Sequence, residues 1–173
     1  VFQLNCHHYR FKGATKMNFL RHSLVATALV GAQALLMSAP AAAADAACKL
    51  EITGTDSMTY DKKELAVPAS CKEVTLTLHH NGQLPAAAMG HDWVLVNTPD
   101  LAAVANDGMG AGAANNYVKP GDKRVLAHTK IIGGGQSDTI TFSTAALKAG
   151  GDYSFLCTFP GHNALMRGKF KFG

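Results

Sequence analysis

A chain of 173 residues with 16 Lys+Arg against 12 Asp+Glu carries a net charge of +4, and all of that surplus lies before residue 45. Arg10, Lys12, Lys16 and Arg21 meet no acid there, whereas the rest of the chain balances 12 bases against 12 acids. The basic character belongs to the N-terminal segment, and no Lys/Arg cluster elsewhere makes a footprint for nucleic acid. Residues 1–16 precede Met17 in a chain that begins with Val. They read as mis-assigned upstream sequence, so Cys6, His7 and His8 receive no function. Residues 17–44 have the layout of a secretory signal: Arg21 and His22 give a charged start, Leu24 to Met37 is apolar, and Ala41–Ala44 offers small residues for cleavage. That apolar run is short for a span of about 20 residues. Export to the periplasm without stable membrane insertion is the expectation, with residues 45–173 as one domain.

Strand patterns dominate that domain. Val74, Leu76 and Leu78 alternate with Thr75, Thr77 and His79, as in a half-buried strand. Val94-Leu95-Val96 is a continuous apolar run, which predicts a central strand. Around residues 99–112 the chain turns Ala-rich, with Leu101, Val104 and Ala105 at helical spacing, and predicts a short helix or flap. Ile140 and Phe142 alternate with threonines; Tyr153, Phe155 and Cys157 share one face; Phe170 and Phe172 share another. Asn81-Gly82, Gly133-Gly134-Gly135 and Gly150-Gly151 punctuate these runs. Short strands at regular intervals predict an all-β, antiparallel sandwich. Asp152-Tyr153 falls where a tyrosine corner closes a Greek key. Trp93, two residues from His91, is read as a core aromatic.

The chemistry concentrates in Cys157-Thr-Phe-Pro-Gly-His162-Asn-Ala-Leu-Met166, which places a thiol, an imidazole and a thioether on one short loop. Copper accepts all three, and a His₂Cys site with a weak axial Met is the mark of a blue-copper electron-transfer centre. His91, after Gly90, supplies the second imidazole. Zinc also occupies Cys-His₂ sets, so Met166 is what favours copper. The domain holds three cysteines, Cys48, Cys71 and Cys157, an odd number for an exported chain. A Cys48–Cys71 pair would leave Cys157 free for metal. A lipidated Cys48 is the other reading, and Asp45 three residues before it stands against that.

The Cys157–Met166 loop and Met89-Gly-His-Asp-Trp-Val-Leu95 resemble those of azurins, bacterial members of the cupredoxin family. So do Asn81-Gly-Gln-Leu-Pro85, Asp107-Gly-Met109 and Arg124-Val-Leu-Ala-His-Thr-Lys130. The resemblance implies a Greek-key sandwich of about eight strands holding one copper ion. It implies His91, Cys157 and His162 as equatorial ligands, with Met166 and the Gly90 carbonyl as weak axial ones, and a Cys48–Cys71 disulfide. It also implies an apolar docking patch of Leu84, Met89, Met109, Phe159, Pro160 and Ala164 around His162, with His162 reachable from solvent.

Thr158 and Phe159 flank the ligand Cys, and Thr158 can brace the loop. Asp92 departs from the resemblance, since azurins commonly carry an asparagine there. An ionised carboxylate at that place would favour Cu(II) and lower the reduction potential. His80 matches an azurin position that titrates near neutrality and reads equally well as a structural strand histidine. His79 should point outward and His128 should lie on the surface, neither with a role. The function so implied is a periplasmic one-electron carrier, a monomer serving small redox proteins such as c-type cytochromes or periplasmic reductases. A copper enzyme needs a further metal centre, and no His neighbours Cys157 to build one. Ser-His-Asp sets, phosphate loops and paired catalytic carboxylates do not appear.

Overall fold

The computed structural model describes residues 46–173. The expectations for residues 1–16 and 17–44 fall outside the described residues. Among the described residues, nine strands form two sheets. They are β1 (Lys49–Thr55), β2 (Thr59–Tyr60), β3 (Glu64–Val67), β4 (Glu73–His80), β5 (Val94–Asn97), β6 (Val125–His128), β7 (Ser137–Ser143), β8 (Tyr153–Leu156) and β9 (Arg167–Phe172). One sheet runs β2-β1-β4-β7 and the other β3-β9-β8-β5-β6. Two short helices interrupt the strands, α1 (Ala86–Met89) and α2 (Leu101–Ala111). The helix predicted around 99–112 is α2, entered through a 3₁₀ turn at Thr98–Asp100. No helix among the described residues is long and apolar enough to cross a membrane.

The sheets are mixed, where an antiparallel sandwich was expected. β1 runs parallel to β4, and β3 runs parallel to β9. The reason is a crossover. After the β1–β2 hairpin the chain leaves for the second sheet as β3, and it returns as β4 beside β1 in the same direction. A strand that returns after a detour, rather than through a tight turn, is free to pair in parallel. The Cys48–Cys71 disulfide spans 23 residues and ties the start of β1 to the turn before β4.

The period-two pattern of β4 is realised, with Val74, Leu76 and Leu78 fully buried. Burying such a side chain is worth roughly 1.5–3 kcal/mol. On its outer face Thr75 and Thr77 pair across to Thr141 and Thr139 of β7, at 3.0 and 2.9 Å. Ile140 and Phe142 are only partly buried, because β7 is an edge strand. Trp93 lies in the core between the sheets, with ring centroids 5.9, 6.1 and 6.2 Å from Phe142, Phe155 and Phe170. The Val94–Val96 run of β5 is apolar because both its faces are covered. Leu95 joins the core between the sheets, while Val94 and Val96 pack outward on Val104, Ala105 and Val118.

Helix α2 approaches closely enough that a Cβ on Gly108 would lie 2.1 Å from the Tyr117 carbonyl oxygen. Tyr153 forms the corner its position suggested: its hydroxyl accepts the Lys148 N–H at 2.7 Å, five residues upstream. Arg124 clamps the base of the flap by donating to Asp107 of α2 and to Asp122.

Candidate metal centre

One end of the sandwich gathers His91, Cys157 and His162, all buried, with ligand atoms within 4.8 Å of one another. They arrive by different routes. His91 precedes β5 and is held by a two-way backbone bridge to Ile132, with N···O distances of 3.0 and 2.9 Å. Its Nε2–H donates to the Thr55 carbonyl at 2.9 Å, which fixes the tautomer and leaves Nδ1 as a bare lone pair. That Nδ1 is buried and has no hydrogen-bond partner. A buried polar atom left so is costly unless something occupies it.

Cys157 and His162 come from the loop between β8 and β9. The Cys157 N–H donates to the Met166 carbonyl at 2.9 Å, closing the loop at its base. Inside it, His162 N–H bonds Phe159 O, while Leu165 and Met166 N–H both bond His162 O, all at 2.8–3.0 Å. Gly161, at φ 83°, supplies the left-handed step that starts the short turn of His162–Ala164. The Cys157 Sγ lies 3.7 Å from His162 Nδ1 and 3.9 Å from the Gly90 carbonyl oxygen. Met166 is fully buried. Its methyl and the His91 ring border the same residue, Gly54: a Cβ there would meet His91 Cδ2 at 2.6 Å and Met166 Cε at 3.3 Å.

Asp92 joins the two routes. Its carboxylate accepts the Thr158 N–H at 2.7 Å and the Thr158 hydroxyl, so the residue after His91 grips the residue after Cys157. Tyr60 from β2 donates its buried hydroxyl to the Asp92 carbonyl. Burial raises the Asp92 carboxyl to about 6, against the lowering effect of the Thr158 bonds. Burial also pushes the Cys157 thiol up, with the Asp92 charge adding to it. A metal cation reverses that effect, since a coordinating thiol is deprotonated. Burial and the neighbouring His91 and His80 pull His162 down to about 4, and burial lowers His91. Both imidazoles are therefore neutral near pH 7, the form that binds metal. A thiol and two neutral imidazoles, all buried, fit a soft or borderline ion, and copper matches this donor set.

Around the centre, Leu84 and Met109 are 42% and 48% exposed, Pro160 and Ala164 are exposed, and Met89 and Phe159 are half-buried. His162 is only 3% exposed, less open than expected. The Phe159 ring lies 4.5 Å from it, with Tyr117 stacked edge-on against Phe159 at 5.2 Å. His80 stacks on His91 at 4.2 Å and donates through Nε2 to the Met89 carbonyl. His79 faces outward to Ser137, and His128 is exposed. Gly54, Thr55 and Tyr60 carried no functional expectation. A glycine inside a strand does signal a close approach, but nothing in sequence says that His91 is what approaches.

The profile described as "Copper binding proteins, plastocyanin/azurin family" matches residues 46–173. An azurin from Bordetella pertussis is 53% identical over 145 residues, covering 83% of this chain and 95% of its own. Azurin-1 from Alcaligenes xylosoxydans xylosoxydans is 52% identical over 126 residues, covering 73% and 98%. Among solved structures, an azurin from Methylomonas sp. strain J superposes with a TM-score of 0.70 at 45% identity, covering 73% of this chain and 98% of that one. With copper as the ion its donor set fits, the chain belongs to the plastocyanin/azurin family of copper-binding proteins.

Proposed function

We propose that this protein is a periplasmic one-electron carrier. His91, Cys157 and His162 would hold the copper, with the Met166 thioether and the Gly90 carbonyl as weaker partners. The observation that carries the reading is the meeting of three buried donor atoms within 4.8 Å, one of them the unpartnered His91 Nδ1. Copper held there would supply one-electron redox chemistry between Cu(II) and Cu(I).

The chain's own residues hold that site still. Thr55 fixes the His91 ring, the Asp92–Thr158 bonds fix the Cys157 backbone, and the Met166–Cys157 bond closes the loop. A site held on every side moves little when an electron passes. Burial of Cys157, His162 and Met166 keeps water away from the ligands.

Leu84, Met89, Met109, Phe159, Pro160 and Ala164 supply an apolar patch for brief docking of small redox proteins such as c-type cytochromes or periplasmic reductases. Redox encounters bury little area, typically under about 1,200 Å², so such a patch suffices and the carrier works as a monomer. The test is to add Cu(II) to the protein and record visible absorption and electron paramagnetic resonance. An intense thiolate-to-copper band with small hyperfine splitting, bleached reversibly by ascorbate, supports the reading. A pale spectrum with large splitting removes Cys157 from the equatorial set and the proposal with it.

A further inference from the structure

Asn81-Gly82, read from the sequence as turn punctuation, has an environment that no other described asparagine shares. It follows β4 directly after His80. Asn81 is exposed, and its side-chain amide has no hydrogen-bond partner among the described residues. The Gly82 backbone N–H is likewise free, whereas the flanking amides are engaged: Asn81 N–H donates to Gly54 O, and Gln83 N–H donates to Asp56 Oδ2. By contrast, the side chains of Asn97, Asn115 and Asn116 are held by Asp100, Ala111 and Ile131. Each of those three is followed by a residue with a side chain, as are Asn106 and Asn163. Among the described asparagines, only at Asn81 do an unrestrained amide, an unbonded nucleophilic nitrogen and the absence of a following Cβ coincide.

We propose that Asn81 is a site of spontaneous deamidation. The Gly82 backbone nitrogen gives up its proton to hydroxide and attacks Asn81 Cγ. The Cγ–Nδ2 bond breaks and ammonia leaves, closing a five-membered imide. Water then opens the ring at either carbonyl. One opening leaves aspartate; the other leaves isoaspartate, in which the main chain runs through the former side chain. Water has access, because Asn81 lines a polar depression of about 300 Å³ together with Thr53, His79, His80 and Gln136.

The product has consequences for the metal end. Either product places a carboxylate in the depression that His80 lines, and His80 stacks on His91. The isoaspartate also adds a backbone methylene before Gly82. That glycine lies against the Asp56 carboxylate so tightly that a Cβ would come within 2.2 Å of Oδ1. Asp56 in turn holds the Gln83 and Leu84 amides. Lengthening the main chain there pulls this cradle apart and displaces Leu84. Only this last effect bears on docking and rests on the function proposed above; the deamidation does not.

The test is to incubate the intact copper-loaded protein at mildly alkaline pH and follow it by peptide mass mapping and isoaspartate detection. The expected result is a gain of one mass unit confined first to the peptide containing Asn81, at a rate proportional to hydroxide. Later elution on anion exchange, from the added negative charge, should accompany it, and both should be absent in Asn81→Gln. The urea-unfolded chain serves as control for the chemistry. Deamidation at Asn81 in the unfolded chain but not in the folded one overturns the proposal, because the fold would then protect the site. So does a first mass gain at any other asparagine.

Discussion

The two sources of the metal site behave differently. The β8–β9 loop brings Cys157, His162 and Met166 within ten residues and shapes itself by its own backbone bonds. His91 stands alone and depends on parts of the chain far from it: Thr55 orients its ring, Ile132 bridges its backbone, and Gly54 makes room for it. The loop is a local device and His91 a tertiary one. Asp92–Thr158 is the bond that makes them one site. The loop should therefore tolerate distant changes, while His91 should report on them.

The largest effect is expected where the loop's own chemistry is removed. Cys157→Ser should abolish the intense blue band while leaving the far-ultraviolet circular dichroism of the β-sandwich unchanged. Retention of the band would mean that the thiolate does not generate it. Next comes a change at the opposite, structural extreme. Replacing Cys48 and Cys71 together by alanine should cost roughly 2–5 kcal/mol of folding stability, measured by denaturant unfolding. The visible spectrum of the folded protein should stay as it was, because the disulfide ties β1 to the turn before β4 and holds no donor.

Gly54→Val attacks the tertiary half directly. Its Cβ would meet His91 Cδ2 at 2.6 Å, so the ring must shift, with an overpacking cost of about 1–3 kcal/mol. Electron paramagnetic resonance should show an enlarged or rhombic copper splitting. An unaltered spectrum would show that His91 does not need this space. Asp92→Asn keeps the link in shape but removes its charge. The reduction potential by voltammetry should rise, because an ionised carboxylate favours Cu(II); an unchanged or lower potential overturns that role.

The smallest effect lies farthest away. Arg124 holds Asp122 down to about 2 and also lowers Asp107. The unfolded chain, with its ordinary carboxyls, binds more protons than the folded one below about pH 4. The Arg124 clamp therefore stabilises fully above that pH and is lost as pH falls through about 2. Arg124→Met should lower the melting temperature modestly near neutrality, with the difference from the parent chain closing in acid.

Much of this was legible in one dimension. The alternation in residues 74–79, the apolar run at 94–96 and the aromatic faces at 153–157 and 170–172 are β-strands because a pleated strand with one or two dry faces demands those periods. The helical spacing of Leu101, Val104 and Ala105 became α2 for the equivalent reason. The strands that announced themselves least were β1, β2, β3 and β6, and β2 is a two-residue strand at a sheet edge. β3 is four residues long at a sheet edge, and β6 is another edge strand with only partial burial. Edge positions impose a weaker pattern, because water covers part of them.

The sequence by itself determined the donor loop. Ligand types and spacing within ten residues survive any packing, since the loop's connectivity cannot change. It also determined which strand faces are apolar, because burial acts on each side chain by its chemistry. Only the tertiary structure decided the parallel pairing of β1 with β4, which depends on a detour through the other sheet. Tertiary packing likewise decided that Thr55 and Gly54 serve His91 from a strand 36 residues away, and that Tyr60 braces Asp92. Those contacts use a carbonyl, a missing Cβ and a phenol, groups found throughout any chain. What makes them functional is where the fold puts them.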